Sequence, residues 1–281
     1  MQERRKEMEE QERRIRVRMA KIKHKLAILS GKGGVGKSTI TANLAAAFAG
    51  MGQKVGVLDA DIHGPSIPKI LGIRGQKLVV DQVDGLGISP ATGPLGIKVI
   101  SMDYLLLEED TPVIWRGPLK TVAIKQFLAD VAWGDLDLLL IDLPPGTGDE
   151  PLSIMQSIND IDGVLMITAP SQVSQIVVKR AIGFTRKLNV PLVGIVENMS
   201  GFVCPKCGSE FDILGNGGGQ KISEQLDIPF LGKIPIDQRI CEDSDDGVPF
   251  VIKHAETPAA KAFMQIVEKV EKYLEGRGAQ T

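Results

Sequence analysis

Three segments of the chain are apolar almost without interruption: residues 136–142 (LDLLLID), 163–169 (GVLMITA) and 191–198 (PLVGIVEN). Short runs of this kind, bounded by turn formers and lacking polar alternation, are expected of strands buried on both faces of a parallel sheet. Residues 25–30 (KLAILS) and 54–61 (KVGVLDAD) read the same way, and the helical spacing of 40–52 (ITANLAAAFAGMG) between them closes a βαβ unit. Helical patterns also cover 119–133, 174–188 and 257–276, the last with Thr257 as N-cap, Pro258 at its first position and Gly276 after it. Residues 64–117, rich in Gly and Pro, read as loops with one or two strands. No internal repeat is visible. Strands alternating with helices in this way predict an α/β fold, a doubly wound and mainly parallel sheet.

With 281 residues, 43% of them hydrophobic, the chain is suited to one large α/β domain. The expected division is a charged leader over 1–24, helical or disordered, and a single domain over 25–281. Residues 1–25 hold ten Lys/Arg against five Glu in a chain whose net charge is −2. The expectation for that leader is a solvated helix of Glu/Arg pairs, not a nucleic-acid arm. No stretch of about 18 apolar residues exists, so no membrane span is expected. The first residues lack the apolar core of a secretory signal. Three cysteines cannot build a disulfide framework, which points to a reducing cytoplasm.

Residues 31–38 (GKGGVGKS) fit the P-loop pattern G-x-x-x-x-G-K-[ST], placed after a predicted strand and before a predicted helix. Glycines let consecutive backbone N–H groups face phosphate oxygens, and the helix N-terminus adds its dipole. Lys37 is expected to reach the β- and γ-phosphates of ATP, and Ser38 to ligate Mg²⁺. Asp142 ends an apolar strand, where a carboxylate can hold Mg²⁺, and Asp59 and Asp61 end another beside the γ-phosphate position. His63, in the same loop as Asp61, is given no role. Lys32 is a second lysine inside the loop; held at its start, the ammonium is expected to reach the nucleotide of a second subunit.

The remaining chemistry is a C-x-x-C pair, Cys204 and Cys207, in the turn VCPKCG. A polar turn is a poor place for packed thiols, a redox dithiol lacks its usual context, and a zinc knuckle normally needs a second pair. Two copies of the turn brought together in a homodimer would supply four thiolates, a set that suits zinc or a [4Fe–4S] cluster; spacing alone does not choose between them. Cys241 has no partner at metal spacing. The glycine run GNGGGQK (215–221) reads as a flexible loop ending at a helix start.

GKGGVGKST resembles the deviant Walker A loop of the SIMIBI-type P-loop NTPases that include MinD, ParA and the nitrogenase iron protein. Together with DADIHGPS, IDLPPGTGD and NMSGFVCPKCG it resembles the Mrp/ApbC branch, the iron–sulfur cluster carrier ATPases. The resemblance implies ATP binding at Gly31, Lys32, Gly33, Gly34, Val35, Gly36, Lys37, Ser38 and Thr39, with Lys32 as the lysine that crosses a dimer interface. It implies that Asp61 orients the attacking water, that Asp59 and Asp142 lie at Mg²⁺, that Asn198 contacts adenine, and that Pro235 to Asp237 flank the base. It favours [4Fe–4S] over zinc at Cys204 and Cys207, and transfer of the cluster to apo-proteins. Rival expectations are a partitioning or positioning ATPase, for which the mixed-charge C-terminal helix offers no basic or membrane-binding stripe, and a zinc-bridged nucleotide-binding dimer.

Overall fold

The computed structural model describes residues 2–62, 64–81, 87–105, 117–158 and 160–278. Helix α1 (Gln2–Met19) precedes strand β1 (Ile22–Ser30), and α2 (Lys37–Gly50) and β2 (Val55–Asp59) complete the first βαβ unit. A short helix α3 (Ile67–Ile70), a ribbon of β3 (Val79–Asp81) and β4 (Gly87–Ser89), and strands β5 (Ala91–Thr92) and β6 (Lys98–Ser101) follow. Next come α4 (Gly117–Asp130), β7 (Leu136–Asp142), α5 (Asp149–Ser157), β8 (Gly163–Thr168), α6 (Gln172–Lys187) and β9 (Leu192–Glu197). A hairpin of β10 (Phe202–Val203) and β11 (Glu210–Phe211) projects before α7 (Gly218–Leu226) and β12 (Phe230–Lys233). Helices α8 (Gln238–Asp246), α9 (Phe250–Lys253) and α10 (Pro258–Gly278) follow.

The main sheet runs β12-β9-β8-β1-β7-β2-β6-β5 and is parallel except for β5. Its central strands β9, β8, β1, β7 and β2 are buried on both faces over most of their length, as continuous apolar runs require. Leu26, Ile28, Leu138 and Leu140 point into the layer formed with α2, α9 and α10, while Ala27, Leu29, Leu139 and Ile141 point into the layer formed with α1, α4, α5, α6 and α7. The alanines of α2, Ala45 to Ala47, allow that helix to lie close over the sheet. No helix among the described residues is long and apolar enough to cross a membrane.

Three details depart from expectation. The leader is helical, with the solvated pairs Arg5–Glu9 and Arg13–Glu10, but Ile15 and Met19 are buried in the core and Arg14 pairs with Asp130 of α4 at 2.5 Å. The helix therefore leads directly into β1, which starts at Ile22, ahead of the predicted Lys25. The described part of 64–117 holds four strands, not one or two, with β5 and β6 in the main sheet and β3 and β4 in a ribbon of their own, and α10 continues through Gly276 to Gly278. Gly276 is exposed and costs the helix too little there to end it.

Candidate nucleotide site and cysteine hairpin

Strand β1 is flanked by β7 and β8, both later in the chain, so the winding reverses above its carboxyl end. Open α/β sheets form their ligand crevice at such a point. The loop leaving β1 there lines a cavity of about 240 Å³ with residues 32–39, Asp61, Gly64, Ser66 and Pro145. Gly36 has φ 80° and would drive a Cβ into the Asn198 amide, while a Cβ on Gly31 would lie 2.6 Å from the Val177 carbonyl carbon of α6. Both positions need glycine: the first for its dihedral and its close contact, the second because α6 presses against the backbone.

Below the loop a closed polar network has formed. Lys37, 6% exposed, pairs its ammonium with Asp142 Oδ2 at 2.7 Å, and the fully buried Asp142 also accepts from Ser38 Oγ at 2.6 Å and Thr41 Oγ1 at 2.7 Å. Asp59 sits beside Asp142 on the neighbouring strand. Its carboxylate accepts from Ser101 Oγ at 2.9 Å, from the backbone N–H groups of Ser66 and Ile67 at 3.2 Å, and from that of Asp61 at 3.3 Å. Burial, and then the charge of Asp142, push the Asp59 carboxyl up to about 8. Serine hydroxyl and carboxylate oxygens are the hard donors that suit Mg²⁺, so Ser38, Asp142 and Asp59 fit the ion expected of them. Asp59 also holds the start of the segment bearing Asp61, whose own carboxylate accepts from Gly64 N at 3.3 Å. His63 lies outside the described residues. Lys32 lines the cavity half-buried, and its ammonium makes no ion pair among the described residues.

The residues assigned to the base lie on the far side of the loop. Asn198 Nδ2 donates to the Val35 carbonyl at 2.9 Å, so the amide braces the P-loop from behind. Pro235 is half-buried. Asp237 caps α8 through Arg239 N at 3.1 Å and takes a two-point pair from the Arg239 guanidinium at 2.9 and 2.6 Å. Burial pushes its carboxyl up, but the Arg239 contacts outweigh that and hold it below the ordinary carboxylate range.

Cys204 and Cys207 occupy the tip of the β10–β11 hairpin. Gly208 N donates to Cys204 O and Cys204 N to Ser209 O, both at 2.9 Å, which folds the turn around the two thiols. Cys207 is exposed and Cys204 half-buried. The Ser209 hydroxyl, 3.3 Å from Cys207 Sγ, its backbone N–H and the neighbouring Cys204 hold the Cys207 thiol below its ordinary range. No group of three or more His, Cys, Asp or Glu among the described residues could hold a metal. Cys241 stands apart on α8, exposed.

One buried carboxylate near the site escaped sequence reasoning. Glu197, fully buried at the end of β9, accepts from Ser200 Oγ at 2.5 Å, from Gly217 N at 2.8 Å and from Gly219 N. The glycine run is thus not a loose loop: the N-terminus of α7 is taken by this side chain. The signal in the sequence is a lone acid ending an apolar strand, followed by glycines at a helix start.

The ParA family model described as NUBPL iron-transfer P-loop NTPase matches residues 21–271. The chain is 54% identical over 268 residues to a protein of Methanocaldococcus jannaschii named iron-sulfur cluster carrier protein, covering 95% of this chain and 91% of that one. A protein of the same name from Saccharolobus solfataricus is 51% identical over 262 residues, covering 93% and 88%. Among solved structures, a nucleotide-binding protein in complex with ADP from Archaeoglobus fulgidus superposes with a TM-score of 0.77 at 39% identity, over 90% of this chain and 95% of that one. MinD of Pyrococcus horikoshii with Mg-ADP gives 0.66 at 25% identity, over 89% and 96%. Strand order, P-loop and matched length agree: the chain belongs to the ParA family of NUBPL iron-transfer P-loop NTPases.

Proposed function

We infer that this chain binds and hydrolyses ATP and carries a [4Fe–4S] cluster between two copies of itself, passing it to apo-proteins. The observation that carries the reading is the hairpin tip: two adjacent, accessible thiols with no third donor among the described residues. A cubane cluster needs four thiolates, and a second copy related by a two-fold axis would supply the other pair. The names of the relatives favour iron–sulfur over zinc as the cargo. Exposed apolar side chains surround this end of the molecule: Phe211, Ile213 and Leu214 beside the hairpin, and Val173 and Ile176 on α6. Gly215 and Gly218 abut Pro170 just before α6, so the two groups adjoin, and a second copy would cover both.

In this reading Lys37 exchanges Asp142 for the β- and γ-phosphates, and Ser38 and Asp142, with Asp59 behind them, hold Mg²⁺. Bound Mg²⁺ neutralises charge on the phosphoryl oxygens. The backbone of residues 31–39 cradles the phosphates, Asn198 and Pro235 to Asp237 face the base, and Asp61 orients the attacking water. Lys32 reaches the partner's nucleotide, so Lys32→Ala should slow hydrolysis; a wild-type rate in that variant removes the lysine from the reaction.

Anaerobic reconstitution tests the cargo. Iron, sulfide, zinc and the visible spectrum are measured for wild type and Cys204→Ala, with gel filtration alongside. Four irons and four sulfides per dimer, absent from the variant, are expected. Holo protein that elutes as a monomer, or zinc in place of iron and sulfide, overturns the reading.

A further inference from the structure

The cysteine hairpin is carried on an excursion, residues 198–217, that leaves the sheet at β9 and returns at α7. Both ends of that excursion converge on Glu197. Ser200, at its start, donates its hydroxyl to Glu197 Oε1 and is also 3.2 Å from Asn216 Oδ1. Gly217 N, at its end, donates to the same oxygen, and Gly219 N, in the first turn of α7, donates to Oε2. A carboxylate with no exposed surface is expensive to bury and persists only where its hydrogen bonds are made. No cation is paired with Glu197 among the described residues, so one hydroxyl and the backbone N–H groups at the start of α7 are what satisfy its oxygens.

The same few residues touch the nucleotide side. Asn198, the next residue, braces Val35 of the P-loop. Ser200 N donates to Ile234 O at 2.9 Å and Ile236 N to Gly201 O at 2.8 Å, with a parallel bridge between Phe202 and Ile236. Ile236 lies between Pro235 and Asp237, the segment read as flanking the base. Between the two chemistries there is therefore one short ladder, Ser200–Phe202 against Ile234–Ile236, clasped at its root by one carboxylate. Asp59 and Asp142 lie on the opposite side of β1, beyond the P-loop.

We propose that Glu197 is the positioning residue that couples the nucleotide site to the cysteine pair, by clasping both ends of the excursion to the strand that presents Asn198. The inference rests on the reading of Asn198 and Pro235 to Asp237 as base contacts. It assigns the coupling to the base end of the nucleotide, so a diphosphate is as effective as a triphosphate. Coupling between sites is reciprocal for binding: whatever factor nucleotide imposes on the affinity of the thiols for a metal ion, that ion imposes on nucleotide affinity.

The test uses the metal-free protein in a Cys241→Ser background. The alkylation rate of Cys204 and Cys207 by iodoacetamide is measured with and without MgADP, and ADP affinity by calorimetry with and without Cd²⁺ on the thiols. In the parent protein MgADP is expected to change the alkylation rate by about fivefold or more and, separately, to change Cd²⁺ affinity by the same factor by which Cd²⁺ changes the ADP dissociation constant. Glu197→Gln keeps the side-chain shape but weakens the clasp; the ratio should fall to about one while ADP affinity stays within about threefold. Ser200→Ala releases only the outgoing end and should reduce the ratio part of the way, which carries the test if Glu197→Gln does not fold. A parent protein that binds ADP with no change in thiol rate overturns the inference alone, as does a variant that keeps the parent ratio. A parent protein that does not bind ADP overturns the nucleotide reading and the inference with it.

Discussion

The nucleotide site and the cysteine hairpin answer opposite demands. At the first, Lys37, Ser38 and Thr41 of one helix meet Asp142 from one strand's end inside the protein, with the Lys37 and Asp142 charges paired before any ligand arrives. At the second, two strands of two residues each hold a pair of accessible thiols in solvent. Preorganisation in the first fixes charges for phosphate chemistry. Exposure in the second leaves a pair of thiols that no third His, Cys, Asp or Glu joins among the described residues. In the proposed dimer the network below the P-loop is already formed in each copy, whereas the cysteine pair needs the partner's thiols.

Removing the thiols should therefore separate cargo from fold. Cys204→Ala and Cys207→Ala are each expected to abolish cluster binding in anaerobic reconstitution while the thermal midpoint moves by no more than about 2 °C, since Cys207 is exposed and Cys204 only half-buried in a surface turn. A large drop in midpoint would show the hairpin to be structural and would erase the contrast. The P-loop should behave the other way. Lys37→Ala strands the buried Asp142 without its cation, and a loss of about 3 kcal/mol in urea unfolding is expected, together with a fall of about a hundredfold or more in phosphate release. Unchanged stability in that variant would mean that the hydroxyls of Ser38 and Thr41 suffice to hold Asp142.

Legibility in the sequence follows the same division. The P-loop could be read because its chemistry is contiguous, and β7, β8 and β9 because a strand buried on both faces has no polar interruptions. Strand β6, four residues long and set among glycines and prolines, has no room for a pattern, although it pairs with β2 over its whole length. The network below the loop spans about a hundred residues of chain, so Asp142 was visible by its place at a strand end but Thr41 was not. Glu197 was hidden for another reason: its partners are mostly backbone N–H groups at 217 and 219, which no side-chain motif encodes.

The leader shows how charge can mask packing. Ile15 and Met19 stand one helical turn apart amid arginine and glutamate, and both are buried against the domain. Ile15→Ala should cost about 2 kcal/mol, the low end for a buried aliphatic because the site lies at the edge of the core. The urea midpoint of the intact chain measures it, and no change there would return α1 to the status of a solvated arm. Neither the hairpin nor the P-loop touches this contact, so hydrolysis and cluster loading should be unaltered.

A pH dependence is expected as well, and it has opposite signs in the two regions. Folding raises the Asp59 pKa to about 8, so the folded chain keeps a proton that the unfolded chain has already released. Stability from this group is fully present below the ordinary carboxylate range and is lost as pH rises toward about 8. Asp59→Asn keeps an acceptor for Ser101 and the N–H groups of Ser66 and Ile67 without that proton. It should flatten the fall in thermal midpoint between about pH 5 and pH 8. Cys207 runs the other way: its thiol is held below the ordinary range by Ser209, so its contribution appears as pH rises and is lost as pH falls through the lowered value. Exposed to solvent, it should leave little trace in a melting curve. A pH profile that is identical in wild type and Asp59→Asn would mean that Asp59 and Asp142 share their charge differently from the buried, protonated arrangement described above, and the contrast between the two regions would then rest on exposure alone.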